Sequence, residues 1–81
     1  MKVTILPFAA VKDILECSRK DLTLPEGTDV KTAADMLEKE YPLLSEIRSS
    51  LLFAVNETYV KPDRILSDED VLAVFPPVSG G

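Results

Sequence analysis

Residues 30–41 hold the longest helical apolar period in the chain, with Val30, Ala33, Ala34, Leu37 and Tyr41 recurring on one face. Ahead of them, Thr28 or Asp29 can accept hydrogen bonds from the free amides of a first helical turn. Behind them, Pro42 pushes its predecessor out of helical geometry and ends the helix. One helix with one apolar stripe cannot bury that stripe against itself. It needs a second layer, so the rest of the chain has to supply a sheet.

The remaining segments read mostly as strands. Residues 2–6 alternate, with Val3 and Ile5 on one side and Lys2 and Thr4 on the other, and Pro7 is expected to end their pairing. Helical spacing returns over 8–16, where Phe8, Val11, Ile14 and Leu15 share a face. Alternation over 19–24 turns Leu22 and Leu24 inward, and this strand is expected to run antiparallel to the first. Residues 43–50 allow one more helical turn, with Leu44 and Ile47 tucked under. The apolar run 51–55 predicts a central strand buried on both faces. Asn56-Glu57-Thr58 turns the chain, and Tyr59 and Val60 return as a short edge strand. Pro62-Asp63-Arg64 is loop, with Lys61 and Arg64 solvated, and Ile65 and Leu66 both dip into the core. Ser67-Asp68-Glu69-Asp70 is a turn before the last strand, 71–75. No internal repeat interrupts this order.

The predicted fold class is therefore α+β: a mixed sheet packed on one main helix. With the first and last strands side by side in the centre, this is the β-grasp, or ubiquitin-like, arrangement, and the chain leaves from the middle of the sheet. A β-grasp domain over 1–75 is followed by an extended tail over 76–81, Pro76-Pro77-Val78-Ser79-Gly80-Gly81. The two prolines lack amide hydrogens and fix φ, so they stop sheet pairing and stiffen the arm. Five or six extended residues reach ~18 Å. Gly80 and Gly81 have no Cβ and make a narrow tip, suited to threading the terminal carboxylate into another protein's active site. The bland alternative is a frayed terminus.

Composition narrows the chemistry. Eighty-one residues form one domain with a single modest core. A net charge of −5 argues against a nucleic-acid partner and is compatible with a basic protein face. No apolar run approaches membrane-spanning length, so no membrane partner and a cytoplasmic location are expected. The single Cys17 excludes an internal disulfide and a cysteine-cluster metal site, and no metal is expected. The chain has no histidine to activate Cys17, which reads as a small apolar filler. Neither paired carboxylates in an evident cleft nor a glycine-rich phosphate loop is present.

The Phe-Pro-Pro-Val-Ser-Gly-Gly end (75–81), Phe-Ala-Val-Asn at 53–56, the Phe8-Ala9 pair and the Asp-x-Asp turn at 68–70 resemble the ubiquitin-like sulfur carriers, and more narrowly the small subunits of molybdopterin synthase. Many members of that family carry glycine between the two aspartates. Glu69 stands there in this chain, which predicts a turn that does not demand positive φ. The resemblance implies a sulfurtransferase subunit. An E1-like activating enzyme, using ATP and Mg, would adenylate Gly81, and a sulfur donor would make the thiocarboxylate. This chain itself would bind no cofactor. Gly80, Ser79, Val78 and Pro77 would lie in the active site of the synthase large subunit, in a heterotetramer. There the sulfur would pass to a cyclic pyranopterin monophosphate. Phe8, Tyr59 and Phe75 would form an apolar patch against that subunit. Rival readings are a carrier for thiamine or tRNA thiolation, a ubiquitin-like protein modifier, and a binding module with an inert tail.

Overall fold

A computed structural model describes residues 1–77. The elements follow in the order β1 (Lys2–Pro7), α1 (Ala10–Leu15), β2 (Lys20–Thr23), α2 (Val30–Glu40), two short 3-10 turns (Pro42–Glu46 and Arg48–Ser50), β3 (Leu52–Val55), β4 (Thr58–Val60) and β5 (Val71–Phe75). The five strands form one sheet in the order β2-β1-β5-β3-β4. β5 runs parallel to β1 and antiparallel to β3, while β2 and β4 are antiparallel edge strands. This mixed sheet with one main helix is the β-grasp arrangement.

Helix α2 starts where the sequence marks it. Between the two candidate caps the structure selects Asp29, whose carboxylate accepts from the Thr32 amide at 2.8 Å. Thr28 is buried instead, and its hydroxyl donates to the Pro25 carbonyl at 2.7 Å. The α2 stripe of Val30, Ala33, Ala34 and Leu37 joins a core with Val3, Ile5, Phe53, Val55, Leu72 and Val74. Each large side chain fully withdrawn from water there contributes about 1.5–3 kcal/mol before entropy is counted. Cys17 packs partly against this core as a free thiol.

Several expectations are corrected. Pairing does not stop at Pro7, which lies opposite Val74 within β1. The amides of Thr4 and Phe8 both donate toward β5, to Asp70 and Val74 carbonyls. Alternation therefore points the nitrogen of Pro7 the other way, beyond the last β2 partner, where no donor is needed. Phe8 consequently belongs to the end of this ladder and not to α1. The run 51–55 is not central: β3 sits second from the edge, and β5 holds the middle of the sheet. Nor is β3 buried throughout, since Leu52 is exposed. Residues 43–50 form two 3-10 turns, not one α-helical turn. Leu66 is buried but Ile65 is exposed. Residue 65 bridges Asp29 in extended backbone, where successive side chains point opposite ways, so only one of the two can face the core.

The turn at 67–70 also differs. Glu69 does adopt positive φ, at 68°. Its amide donates to the Lys2 carbonyl at 2.6 Å, while the Lys2 amide donates to Asp68 Oδ1 at 2.7 Å. Asp70 Oδ2 accepts from the Ser67 amide at 2.8 Å. These bonds hold a left-handed residue that local preference disfavours.

Candidate functional site: the uncovered face of the sheet

A strand sends alternate side chains to opposite faces. One helix layer covers the face bearing Val3, Ile5, Leu72 and Val74, all fully buried. The alternate positions face the other way. The register sets Leu6, Ala73, Ala54 and Tyr59 in one row across four strands. Phe75 pairs with Leu52 in the next row, and Phe8 lies level with Phe75 because Pro7 pairs with Val74. This second face is therefore apolar too, yet among the described residues no helix covers it.

The three aromatic positions named from sequence converge on it. Phe8 is 49% exposed and Tyr59 73% exposed, and Phe75 is half-buried. Tyr59 and Phe75 meet edge to face, with ring centroids 5.7 Å apart and planes at 67°. Phe8 is held by its backbone: its amide donates to the Val74 carbonyl at 3.0 Å, and its carbonyl accepts from the Val11 amide at 3.1 Å. The next residue, Ala9, takes φ of 51°, which turns the chain from β1 into α1.

Beside Phe8 a groove of about 470 Å3 is lined by Leu6, Phe8, Asn56, Glu57, Val71 and Ala73. Its polar wall is the β3–β4 turn, where Asn56 and Glu57 have φ of 49° and 71°. Two successive positive φ values between paired Val55 and Thr58 make a type I′ hairpin turn. Asn56 is tied down on three sides. Its side-chain amide donates to Asp70 Oδ1 at 3.0 Å, its side-chain carbonyl accepts from the Val71 amide at 3.0 Å, and its own amide donates to the Val71 carbonyl at 2.9 Å. The buried Asp70 thus has both oxygens occupied. This clasp locks the hairpin carrying Tyr59 to the strand carrying Phe75. Sequence reasoning placed Asn56 in a turn and in the Phe-Ala-Val-Asn motif, and missed the clasp. It also missed Leu6, Leu52, Val71 and Ala73 as parts of a surface. The signal was available: a sheet with one helix layer exposes every second residue of its central strand.

At the β2 corner the face turns polar. Thr4 Oγ1 donates to Asp21 Oδ1 at 3.1 Å, and Lys2 Nζ lies 3.5 Å from Asp21 Oδ2. The Thr4 hydroxyl, with Lys2 beside it, holds the Asp21 carboxyl below its usual range. The adjacent β2 residue, Lys20, points to the other face, where it pairs with Glu40 at 3.1 Å and lies over the Tyr41 ring, which raises its pKa, chiefly through the Glu40 bond. Among the described residues no group of three or more His, Cys, Asp or Glu side chains could hold a metal ion. No helix among them is long and apolar enough to cross a membrane.

The tail begins at the end of β5, beside Phe75. Pro76 is half-buried and Pro77 exposed. Val78, Ser79, Gly80 and Gly81 lie outside the described residues.

Comparison with known proteins agrees with this layout. The model of the ThiS family matches residues 5–81. The molybdopterin synthase sulfur carrier subunit of Mycobacterium tuberculosis is 34% identical over 82 residues, covering all of this chain and 99% of that protein. Among solved structures, a putative molybdopterin converting factor subunit 1 from Pyrococcus furiosus superposes with a TM-score of 0.86 at 30% identity, over 95% of this chain and 98% of that one. A chain from the complex of subunits 1 and 2 of the Helicobacter pylori molybdopterin-converting factor gives 0.73 at 26% identity over the full length of both. With its sheet order, its central last strand and a match to nearly every residue, the chain belongs to the ThiS family of ubiquitin-like β-grasp proteins.

Proposed function

We propose that this chain is the sulfur-carrying small subunit of molybdopterin synthase. The observation that carries the reading is the position of β5. The central strand delivers the tail from the sheet's strongest-held element, next to an uncovered aromatic surface on the same face. Such a molecule docks by its face and works by its end. Relatives of this type across the full chain, and a solved two-subunit complex of a similar protein, support it.

In this reading Phe8, Tyr59 and Phe75 anchor the synthase large subunit, as buried aromatic groups commonly carry most of an interface's energy. Pro76 and Pro77 prevent the tail from extending the sheet and aim it outward. Val78 and Ser79 contact the channel of the partner through backbone groups, and Gly80 keeps the tip slim. Gly81 carries the reacting group. Its carboxylate is a poor electrophile, so an E1-like enzyme first joins it to the α-phosphorus of ATP, with release of pyrophosphate. Sulfur delivered by a donor at the sulfide level then displaces AMP at the acyl carbon and leaves a thiocarboxylate. Inside the large subunit that sulfur attacks the cyclic pyranopterin precursor, water then cleaves its bond to the Gly81 acyl carbon and restores the carboxylate, and two such transfers complete a dithiolene. Proton transfers and phosphate binding fall to the partner, consistent with a chain that has no histidine.

The test is intact-mass spectrometry after incubation with an activating enzyme, ATP and a sulfur source. The expected result is a gain equal to exchanging one oxygen for sulfur, located at Gly81 by fragmentation. Attachment of Gly81 to lysines of other proteins, without that gain, would instead indicate a protein modifier.

A further inference from the structure

Glu57 is an unexpected residue at its position. In a type I′ turn the second central residue is commonly glycine, because it must take positive φ without steric cost. Here a side-chain-bearing residue accepts φ of 71°. Its carboxylate makes no salt bridge and no side-chain hydrogen bond among the described residues. Among the described residues it is also the only charged side chain lining the apolar groove beside Phe8. The other polar wall residue, Asn56, has its side-chain amide engaged by Asp70 and Val71 and has little left to offer a ligand. A strained backbone that places an unpaired carboxylate at the edge of an apolar depression is more readily explained by what the carboxylate meets than by the turn itself.

The groove's chemistry defines its complement. Leu6, Val71 and Ala73 offer an apolar floor, and Ala73 contributes only a methyl group, leaving room above the central strand. Phe8 offers an exposed aromatic wall at one side and Glu57 a carboxylate at the other. Long basic side chains match these features in one piece. Their methylene stems lie along apolar surface while the charged head stays at the rim. The aromatic wall gives the stem further apolar surface to lie along.

We infer that this groove is the socket for one arginine or lysine side chain of the synthase large subunit, with its head paired to Glu57. The inference rests on the proposed function and deepens it, because the groove shares Phe8 with the aromatic docking patch. The net charge of −5 favours the same sign of partner. The aromatic anchors supply the bulk of the binding, and the socket supplies register and charge selection.

The experiment is titration calorimetry of the full chain with the cognate large subunit at low and at high salt, beside thermal melts. Glu57→Gln keeps shape and removes charge. It should weaken binding about three- to fivefold at low salt, with the gap closing at high salt. Glu57→Gly relaxes the turn, so it should melt higher than wild type and still lose as much affinity as Glu57→Gln. Ala73→Leu fills the socket and should weaken binding at both salt concentrations. Wild-type affinity for Glu57→Gln at low salt, or for Ala73→Leu, would overturn the socket. If Phe75→Ala loses binding while Glu57→Gln does not, the docking reading stands and the socket alone fails. If the wild-type chain does not bind the large subunit, both are overturned.

Discussion

Leu72 and Ala73 are neighbours on the central strand, and they belong to different problems. Leu72 is fully buried between the sheet and α2, while Ala73 forms the floor of a groove on the uncovered side. The same contrast runs through β1, where Ile5 is fully buried and Leu6 is not. Both faces are apolar, so hydrophobicity alone does not tell them apart. The difference lies in what covers them. The helix side is closed by this chain's own residues, and its apolar surface contributes to folding. The other side has aromatic side chains left in water, and its apolar surface is available for binding.

If the two faces have these separate roles, substitutions should sort by face. Leu72→Ala leaves a cavity under α2 and should cost about 2–5 kcal/mol in a denaturant melt. Any affinity it loses should track its unfolded fraction. Phe75→Ala should reverse the balance. Large-subunit affinity should fall by about 2 kcal/mol, near thirtyfold, while stability falls by about 1 kcal/mol with loss of the Tyr59 contact. Equal losses of stability and affinity for both variants would erase the distinction. Tyr59→Ala sharpens it, because a residue 73% exposed should lose little stability beyond its Phe75 contact, about 0.5–1 kcal/mol, yet still weaken docking.

Two smaller effects probe regions outside both faces. Glu69→Gly relieves a positive φ in the turn before β5 and should stabilise by about 0.5–1 kcal/mol, read as a higher midpoint at an unchanged slope. On the outer side of α2, Asp35 sits 2.8 Å from Arg48 and 3.1 Å from Lys31, and Arg48 foremost lowers its pKa below the ordinary 3.8. A carboxyl lowered on folding stabilises the protein above its unfolded pKa, and that contribution disappears as pH falls through the folded value. The stability difference between wild type and Asp35→Asn should therefore be full near neutrality and vanish in the acid region below pH ~4. Docking should be indifferent to both changes.

The residues that declared themselves in sequence did so through local chemistry. A Thr28-Asp29 capping pair, an unbroken helical period and Pro42 specify α2 without reference to anything distant. The alternation in β1 and the proline pair after β5 specify strands in the same way. What escaped depended on partners far along the chain. Glu69 takes positive φ because Lys2 bonds to it across the fold. Ile65 stays out because Leu66 has already taken the inward position. The run 51–55 looks central from its apolarity, and only the pairing order sets it second from the edge. Phe8, Tyr59 and Phe75 were named from the family resemblance, and the structure brings them to one face of the sheet. The groove was not legible, since it arises from a row of residues drawn from separate strands and a turn.

The central claim is that a folded platform holds out a terminal acid as the sulfur-bearing reagent for a chemistry performed by another subunit. Reconstituted synthesis measures this most directly: the thiocarboxylated chain, the large subunit and the cyclic pyranopterin precursor, with dithiolene product quantified against carrier consumed. The account predicts two carriers used for each pterin completed, and no product from a chain lacking Gly81. Undiminished product from the chain lacking Gly81 would contradict it.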